Sequence, residues 1–320
     1  MKALRLTNTA GALSDEAKGR TVRHLWRRVI GAFIAPALVL SLTGCVTTRA
    51  VNKTILAPDV HQATLDDLLK KLAVEYGGVQ TLSLTVNITA TEGGARQGQV
   101  KTLPSFAGYI LLRKPADLHV ILKVPFVGSR ALDMVSDGQN FKMLIPPKNR
   151  AIVGSETVTK PSANGLENIR PNVIRDALQI PPVGPDELVT LTENSRLIAP
   201  AHGKTEAIEE PDYDLSVLRK KAGEPDGRVL ERVRVIHISR VTLLPYQLDL
   251  YDPQGRVVTT ISYSKFQKFG DVDYPMSILL KRPLDEYTLQ IDIGKLVLNQ
   301  KLDDESFKLM IPEGIPVQTM

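Results

Sequence analysis

Among 320 residues there is one cysteine, Cys45. A lone thiol excludes an internal disulfide, so the folded body has to be stabilised by its core. A membrane-length apolar run is lacking as well: the candidate, residues 29–42, holds fourteen residues, where a spanning helix needs roughly 20. Catalytic signatures are absent too, with no HExxH, no paired CxxC, no GxSxG and no glycine-rich phosphate loop. No repeat of fixed period runs through the chain. The one excess is positive charge, a formal +5, and it is local. Seven of the 40 Lys and Arg but only two of the 35 Asp and Glu precede Cys45, which leaves 33 of each from there on. A neutral body carries no nucleic-acid footprint.

What is there begins with that basic segment. Arg23, Arg27 and Arg28 stand just before the apolar run and small residues follow it, the order of a secretory signal. The run ends in Leu42-Thr43-Gly44-Cys45, which resembles the lipobox of bacterial lipoproteins. The resemblance implies cleavage before Cys45, a diacylglycerol thioether on its sulfur and an acyl group on the new amino terminus. An ordinary signal followed by a structural cysteine is the alternative. Trp26, the sole tryptophan, would leave with the leader. Two acyl chains plus an N-acyl group, at about 0.8 kcal/mol per buried CH₂, make an anchor that is effectively permanent. The expected organisation is a cleaved leader over 1–44, a lipidated tether over 45–62 and one folded body over 63–320.

The body opens with a helix. Thr64 is a suitable N-cap, with Asp66 and Asp67 in the first turn. Leu65, Leu68, Leu69, Leu72, Ala73 and Tyr76 recur at helical spacing, and Gly77-Gly78 ends the pattern. The period then changes from 3.6 to 2. In "LSLTVNITA" Leu82, Leu84, Val86, Ile88 and Ala90 alternate with polar residues, a half-buried strand. Further strands are expected at 106–113, 118–124, 130–136, 140–145 and 151–153, with Asp137-Gly138 as a hairpin turn. A second helix falls within 166–180, where Val173, Ile174, Ala177 and Leu178 share a side. Strands resume at 188–192, 214–218, 229–241, 243–250, 257–266, 274–280, 287–298 and 307–311. The polar stretch 195–211 reads as a loop insertion. Together these predict a mainly β, α+β body: a single antiparallel, strongly curved sheet forming an open or incomplete barrel, with helices as a lid. Such a sheet encloses an apolar concavity. Its candidate wall residues are Leu82, Leu84, Val86, Ile88, Phe106, Ile110, Leu118, Val120, Leu289 and Ile291.

Chemistry-bearing residues are sparse. Beyond the leader the histidines are His61, His119, His202 and His237, scattered over the chain. His119 and His237 sit mid-strand among apolar residues, where a hydrogen-bonded, partly buried imidazole is expected rather than a ligand. Asp137 reads as a turn residue, and Asp303, Asp304 and Glu305 as a solvated turn. No metal and no cofactor is expected. The segment "KVPFVGSRA" differs, because Phe126 and Val127 stand between Pro125 and Gly128 at a turn joining two strands. Large apolar side chains at a turn tip need a partner. Folding back onto the core and dipping into lipid are both open to them.

The N-terminal helix with its "SLTVNITA" strand is followed in order by "FAGYILLRKPADLHVIL", "VPFVGSRALDMVSDGQNFKMLIP", "LPYQLDLYDPQGRV" and "LVLNQKLDDESFKLMIPEG". With Asn299, Phe307, Pro312 and Gly314 in the last, this series resembles the LolA and LolB lipoprotein-localisation family over residues 64–314. The resemblance implies an open β-barrel with a helical lid over a cavity for acyl chains, no enzymatic activity and, with the lipobox, the LolB-like anchored form. Leu65, Leu68, Leu69, Leu72 and Tyr76 would then belong to the lid and the ten wall residues to the acyl cavity. Pro125-Phe126-Val127-Gly128 would form a loop that helps place cargo in the membrane, with one apolar residue more than the family's turn. The implied partners are acylated lipoproteins or another lipid, the outer-membrane bilayer through lipidated Cys45, and a soluble periplasmic carrier. The chain is expected to be a monomer on the periplasmic side of the outer membrane, a destination that Val46 after Cys45 also favours. The alternative is a structural or assembly lipoprotein without lipid transfer. An enzyme whose catalytic residues assemble from distant positions is a third reading.

Overall fold

The computed structural model describes residues 53–157, 169–200, 206–223 and 228–320. The leader, Leu42, Thr43, Gly44 and Cys45, residues 45–52 of the tether and the first residues of the expected second helix lie outside them. The strands are β1 Thr54–Leu56, β2 Thr81–Gly94, β3 Gln99–Thr102, β4 Phe106–Arg113, β5 Asp117–Lys123, β6 Arg130–Ser136, β7 Asn140–Ile145 and β8 Arg150–Ser155. They continue as β9 Glu187–Ile198, β10 Ala207–Lys220, β11 Leu230–Ser239, β12 Pro245–Tyr251, β13 Val257–Phe269, β14 Val272–Arg282, β15 Tyr287–Leu298 and β16 Val317–Thr319. Two α-helices accompany them, α1 Leu65–Leu72 and α2 Pro171–Leu178.

All sixteen strands belong to one sheet, ordered β1-β10-β11-β12-β13-β14-β15-β2-β4-β5-β6-β7-β8-β16, with β3 on β2 and β9 on β10. β15 joins the two halves by pairing with β2, Ile291 opposite Ile88. The sheet starts at β1 and stops at β16 without closing, so it is an open half-pipe rather than a barrel. Alternation along each strand decides the faces. On the inner face Leu84, Val86, Ile110, Leu118, Ile236, Leu248 and Ile278 are all buried and belong to one core cluster.

α1 begins as its sequence dictates. The Asp67 amide donates to Thr64 Oγ1 (3.2 Å) and the Thr64 amide to Asp67 Oδ2 (3.0 Å), a capping box. Leu68, Leu72 and Tyr76 are buried, with Leu65 and Leu69 packed beside them. Ala73, placed on the apolar face by its spacing, is instead exposed. The chain widens into a π-turn over Ala73–Gly77, which brings Glu75 inward beside Tyr76. The Glu75 carboxylate is neutralised by Lys71. α2 buries Val173, Ile174, Ala177 and Leu178.

Several sequence expectations need correction. The sheet is antiparallel except at its two ends, where β1 runs parallel to β10 and β16 parallel to β8. The tether is not free over its last residues: β1 takes Thr54–Leu56 into the sheet, and the His61 amide donates to Arg240 O at 2.7 Å. The loop expected over 195–211 is largely strand, because β9 and β10 continue as a hairpin with Ser195 opposite Pro211 and Ile198 opposite Ile208. It is polar because the hairpin outruns the core, and cross-strand pairs such as Arg196 to Glu210 (2.9 Å) replace apolar packing. The strand expected at 307–311 is absent. A 3₁₀ turn over Asp304–Phe307 leads into chain that lays Leu309, Ile311 and Ile315 on the outer face against Val135, Leu144 and Ala151. Pro312 and Pro316 interrupt any ladder there, and the last strand is β16.

Asn299 fixes the junction of helix and sheet. At φ +56° it turns the chain after β15. Its side chain accepts from the Gln80 amide (2.7 Å) and donates to Gly78 O (3.2 Å). Asn299→Ala loses these bonds and strains the backbone, so it should lower stability by roughly 1–3 kcal/mol. That corresponds to about 2–4 °C of melting midpoint per kcal/mol at this size. Asn299→Gly should fall between the two in thermal unfolding followed by circular dichroism. An unchanged Ala variant would refute the assignment.

Candidate functional site

The two helices do not cover the inner face evenly. α1 lies over the β10–β14 half: the Ala63 amide just before it donates to Tyr213 OH (3.0 Å), and Tyr76 OH beyond its end donates to Asp273 O (3.1 Å). α2 packs between β6 and β14. The face formed by β15, β2 and β4–β8 is left with a cavity of about 460 Å³, within the roughly 300–1,000 Å³ typical of small-molecule sites. Its wall is mostly aliphatic, aromatic and thioether, with Leu122, Leu132, Met134, Phe141 and Met143 prominent. Five of the ten expected wall residues line it: Ile88, Phe106, Val120, Leu289 and Ile291. Leu84, Val86, Ile110 and Leu118 are instead packed in the solid core. Leu82 borders a second, wider recess of about 550 Å³ with Tyr76, Leu178 and Tyr274. None of the α1 residues Leu65, Leu68, Leu69 and Leu72 touches the cavity; Ile174 of α2 does.

α2 is held from both sides. Arg175 makes a bidentate pair with Glu156 (2.8 and 2.6 Å) and donates to Ala116 O (3.2 Å), and Ser136 Oγ donates to Glu156 (2.5 Å). Beyond the helix, Arg234 grips Glu187 (2.7 and 2.9 Å) and Pro182 O (3.0 Å), while Tyr274 OH donates to Leu178 O at 2.7 Å. Asp176, a residue of the same helix, is half-buried. Burial pushes its carboxyl up to about 6, against the opposing charge of Arg175.

Sequence reasoning missed the charged rim. Lys101, Lys148, Arg150 and Arg170 join the cavity wall with one acidic side chain, Glu92. Arg170 is the N-cap of α2, 3% exposed, with its guanidinium 5.4 Å from the Phe141 ring centre. Burial draws its pKa down, partly offset by Tyr287. Because β4 to β8 are successive antiparallel neighbours, the start of β4, the end of β5, the start of β6, the end of β7 and the start of β8 share one end of the sheet.

Pro125, Phe126, Val127 and Gly128 project from that end. Phe126 and Val127 are 110% and 74% exposed, and Leu122 and Leu132 on either side of the loop line the cavity. The turn is held by hydrogen bonds from Val124 N to Ser129 O (2.7 Å) and Gly128 N to Val124 O (2.9 Å). Phe126 has φ +64°, a conformation a bulky residue rarely adopts.

The two mid-strand histidines lie on the outer face, away from the cavity. His119 sits between Ser306 O (2.6 Å) and Asp133 (2.8 Å). His237 sits between Asp214 (2.6 Å) and Asp249 (3.2 Å). Burial alone would depress His237, but the bond to Asp249 and the charge of Asp214 outweigh it and raise the imidazole above its ordinary value. Among the described residues no group of three His, Cys, Asp or Glu could hold a metal ion, and no helix is long and apolar enough to cross a membrane.

No protein-family model matches the chain, and no curated protein matches it. Solved structures of similar fold include a LolA superfamily protein from Nitrosomonas europaea, 15% identical over 78% of this chain and 99% of that one, with a TM-score of 0.46. A DUF1329 family protein from Desulfovibrio piger is 18% identical over 76% and 95%, with a TM-score of 0.48. An outer membrane lipoprotein-sorting protein domain from Vibrio parahaemolyticus is 10% identical over 75% and 94%, with a TM-score of 0.41. All three identities are below 20% and all three TM-scores below 0.5.

The raised carboxyl of Asp176 yields a signed pH dependence. Below its ordinary value of 3.8 the group is protonated in folded and unfolded chains alike and costs nothing. Between 3.8 and about 6 the unfolded chain gives up the proton while the folded chain keeps it, so the penalty grows through this window, and above it the folded chain ionises as well and the penalty is complete. Asp176→Asn should therefore raise the melting midpoint at pH 7.5 by roughly 2–5 °C. The gain should fade as pH falls through 6 and vanish near 3.8. Equal effects at both ends of a pH series of thermal melts would show that the ionised group is not the cause.

Proposed function

We propose that this is a lipid-anchored envelope protein that binds acyl chains without enzymatic turnover and passes them to a membrane. The observation that carries the reading is the apolar cavity on the concave face, opening at the end where Phe126 and Val127 stand exposed. A chain of 16 carbons costs about 12 kcal/mol to expose to water, so any carrier of it must offer a dry concave surface. The cavity between sheet and α2 is such a surface. The loop is the contact with the bilayer: its strained, outward Phe126 has no apolar partner within the described protein and gains one in lipid. Acylated lipoproteins are the cargo that suits a receptor held at the outer membrane through lipidated Cys45 and supplied by a soluble periplasmic carrier. Release needs no nucleotide if the receiving bilayer binds the chain more tightly than the cavity does.

Native mass spectrometry of the protein gently extracted from membranes should show a bound acylated molecule; a persistently empty protein counts against the reading. A Phe126→Asp, Val127→Asp double variant should keep its cargo while delivery of a labelled lipopeptide to vesicles slows at least tenfold, as loss of about 1.5–3 kcal/mol of apolar burial per large side chain implies. Unchanged delivery would remove the loop from the mechanism and leave the cavity standing.

A further inference from the structure

The two edges of the sheet are finished differently. At one, the chain's own end closes the ladder: β16 lies parallel to Ala151–Val153 of β8, and the Met320 amide donates to Val153 O at 2.9 Å. At the other, β9 runs for twelve residues beside β10 and has no described strand on its far side. The direction of its backbone groups follows from β10. The Ala207 amide donates to Lys53 O, while Glu209 O and Pro211 O accept from the Ala57 and Arg240 amides, so these odd-numbered residues turn toward the β1 and β11 side. The β9–β10 register is unbroken from Glu187 opposite Arg219 to Ile198 opposite Ile208, odd facing odd and even facing even. Bonded and non-bonded positions alternate in an antiparallel pair. The even residues of β9 therefore bond β10, and the odd ones direct N–H and C=O outward. Two of these outward amides are occupied locally, Glu187 donating to Gly184 O (3.1 Å) and Ser195 to Asn194 Oδ1 (2.9 Å). Those of Val189, Leu191, Glu193 and Leu197 point away from the sheet. Long edges are usually blunted by lysine, proline, a bulge or shortness. β9 has no Lys, Pro or Gly within it and no break in register.

An edge of alternating donors and acceptors fits one kind of partner, another extended strand. A second copy of β9 meets the requirement by symmetry. Two identical antiparallel strands are related by a two-fold axis normal to the sheet, which keeps each face continuous and sets every residue opposite one of equal parity. Two registers overlap most fully, residues 187–197 centred on Thr192 and residues 188–198 centred on Glu193. The second sets two carboxylates directly opposite each other, a destabilising pair. The first sets Thr192 opposite Thr192, a favourable pair, and the exposed Leu188 along the aliphatic stem of Arg196, with no like charges opposed. We infer that two copies of this chain associate edge to edge, β9 pairing antiparallel with β9 of the second copy about Thr192, in place of the monomer that the family resemblance implies. The cavity lies over β15, β2 and β4–β8, so pairing at β9 engages none of its strands.

The test is sedimentation equilibrium of the full-length protein in a density-matched mild detergent. Between about 1 and 200 µM the mass should rise from one copy toward two, as suits a small interface. Thr192 is exposed, so Thr192→Lys and Thr192→Glu should fold as the parent does, with thermal midpoints within about 2 °C of it. Each variant alone sets like charges opposite each other across the axis and should need about fivefold higher concentration to pair. An equimolar mixture of the two should pair at least as well as the parent, because Lys then faces Glu. Single copies at every concentration would overturn the inference and leave the edge to a strand from a different protein. Pairing undiminished in Thr192→Lys would overturn it by showing that another surface holds the dimer. A mixture that pairs no better than either variant alone would overturn the pairing about Thr192.

Discussion

An open sheet has an inner face that something must cover, and the rest of this molecule follows from how little there is to cover it with. Two helices of eight residues each span only about 12 Å apiece, against fourteen-residue strands in the sheet beneath. In a β-sandwich a second sheet would complete the core; here the curvature of the single sheet and the two helices do so only in part. Leu84, Ile110, Leu118 and Ile278 are sealed in the core. Around Phe106, Val120 and Ile291 the same kind of side chain lines empty volume. The cavity is thus the remainder of an incomplete covering, and its apolar wall is a direct continuation of the core.

That arrangement depends on α2 staying in place. It is held less by its five buried apolar residues than by charged groups tied to the strands on either side: Arg175 to Glu156, and Arg234 to Glu187 on the chain that follows. Neither pair need contribute much net stability, since desolvation offsets the attraction. Breaking one partner, however, strands the other in a buried site at a cost of about 3–5 kcal/mol. Such pairs define a position more than they deepen it. The outer face uses the same device: His119 with Asp133 anchors the 3₁₀ turn after β15, and His237 bridges Asp214 and Asp249 across β10, β11 and β12.

What was legible in the sequence follows the burial of one face. β2, β4 and β15 alternate cleanly because one side meets the core and the other meets water, and their limits were read within a few residues. The β9–β10 extension could not be read that way. Past Thr192 the β9 strand is largely exposed on both sides, so alternation disappears and the polar strand looks like a loop. β1 and β16 are three-residue parallel additions specified by the edge they join rather than by any pattern of their own. The cavity was half legible for a similar reason. Alternation places Ile110 and Ile291 on one inner face, but only the position of the helices decides that Ile110 is core and Ile291 is wall. Lys101, Lys148 and Arg150 lie in three different segments and become a rim only once antiparallel pairing stacks their ends together. Phe126 was visible beforehand because it breaks a local rule, a large apolar side chain at a turn tip.

Holding and releasing an acyl chain make opposite demands on one site, and the composition of the wall reconciles them. Affinity built on apolar area alone is proportional to the length of chain covered. In the proposed reading, a cavity of about 460 Å³ that covers only part of a long chain would leave the remainder to favour the bilayer, so transfer would run downhill without any opening of α2. The floor of the cavity is sheet, which cannot adapt without breaking its ladder, but Met134, Met143 and Met320 face into it. Unbranched thioether side chains repack around chains of different shape at little cost. If the proposed reading holds, adaptable side chains on a rigid floor and the exposed Phe126 loop at the mouth would put the low-affinity end of the site next to the membrane that competes with it. Direction of transfer is then set by where the mouth faces, which is the property a permanent anchor at Cys45 would supply.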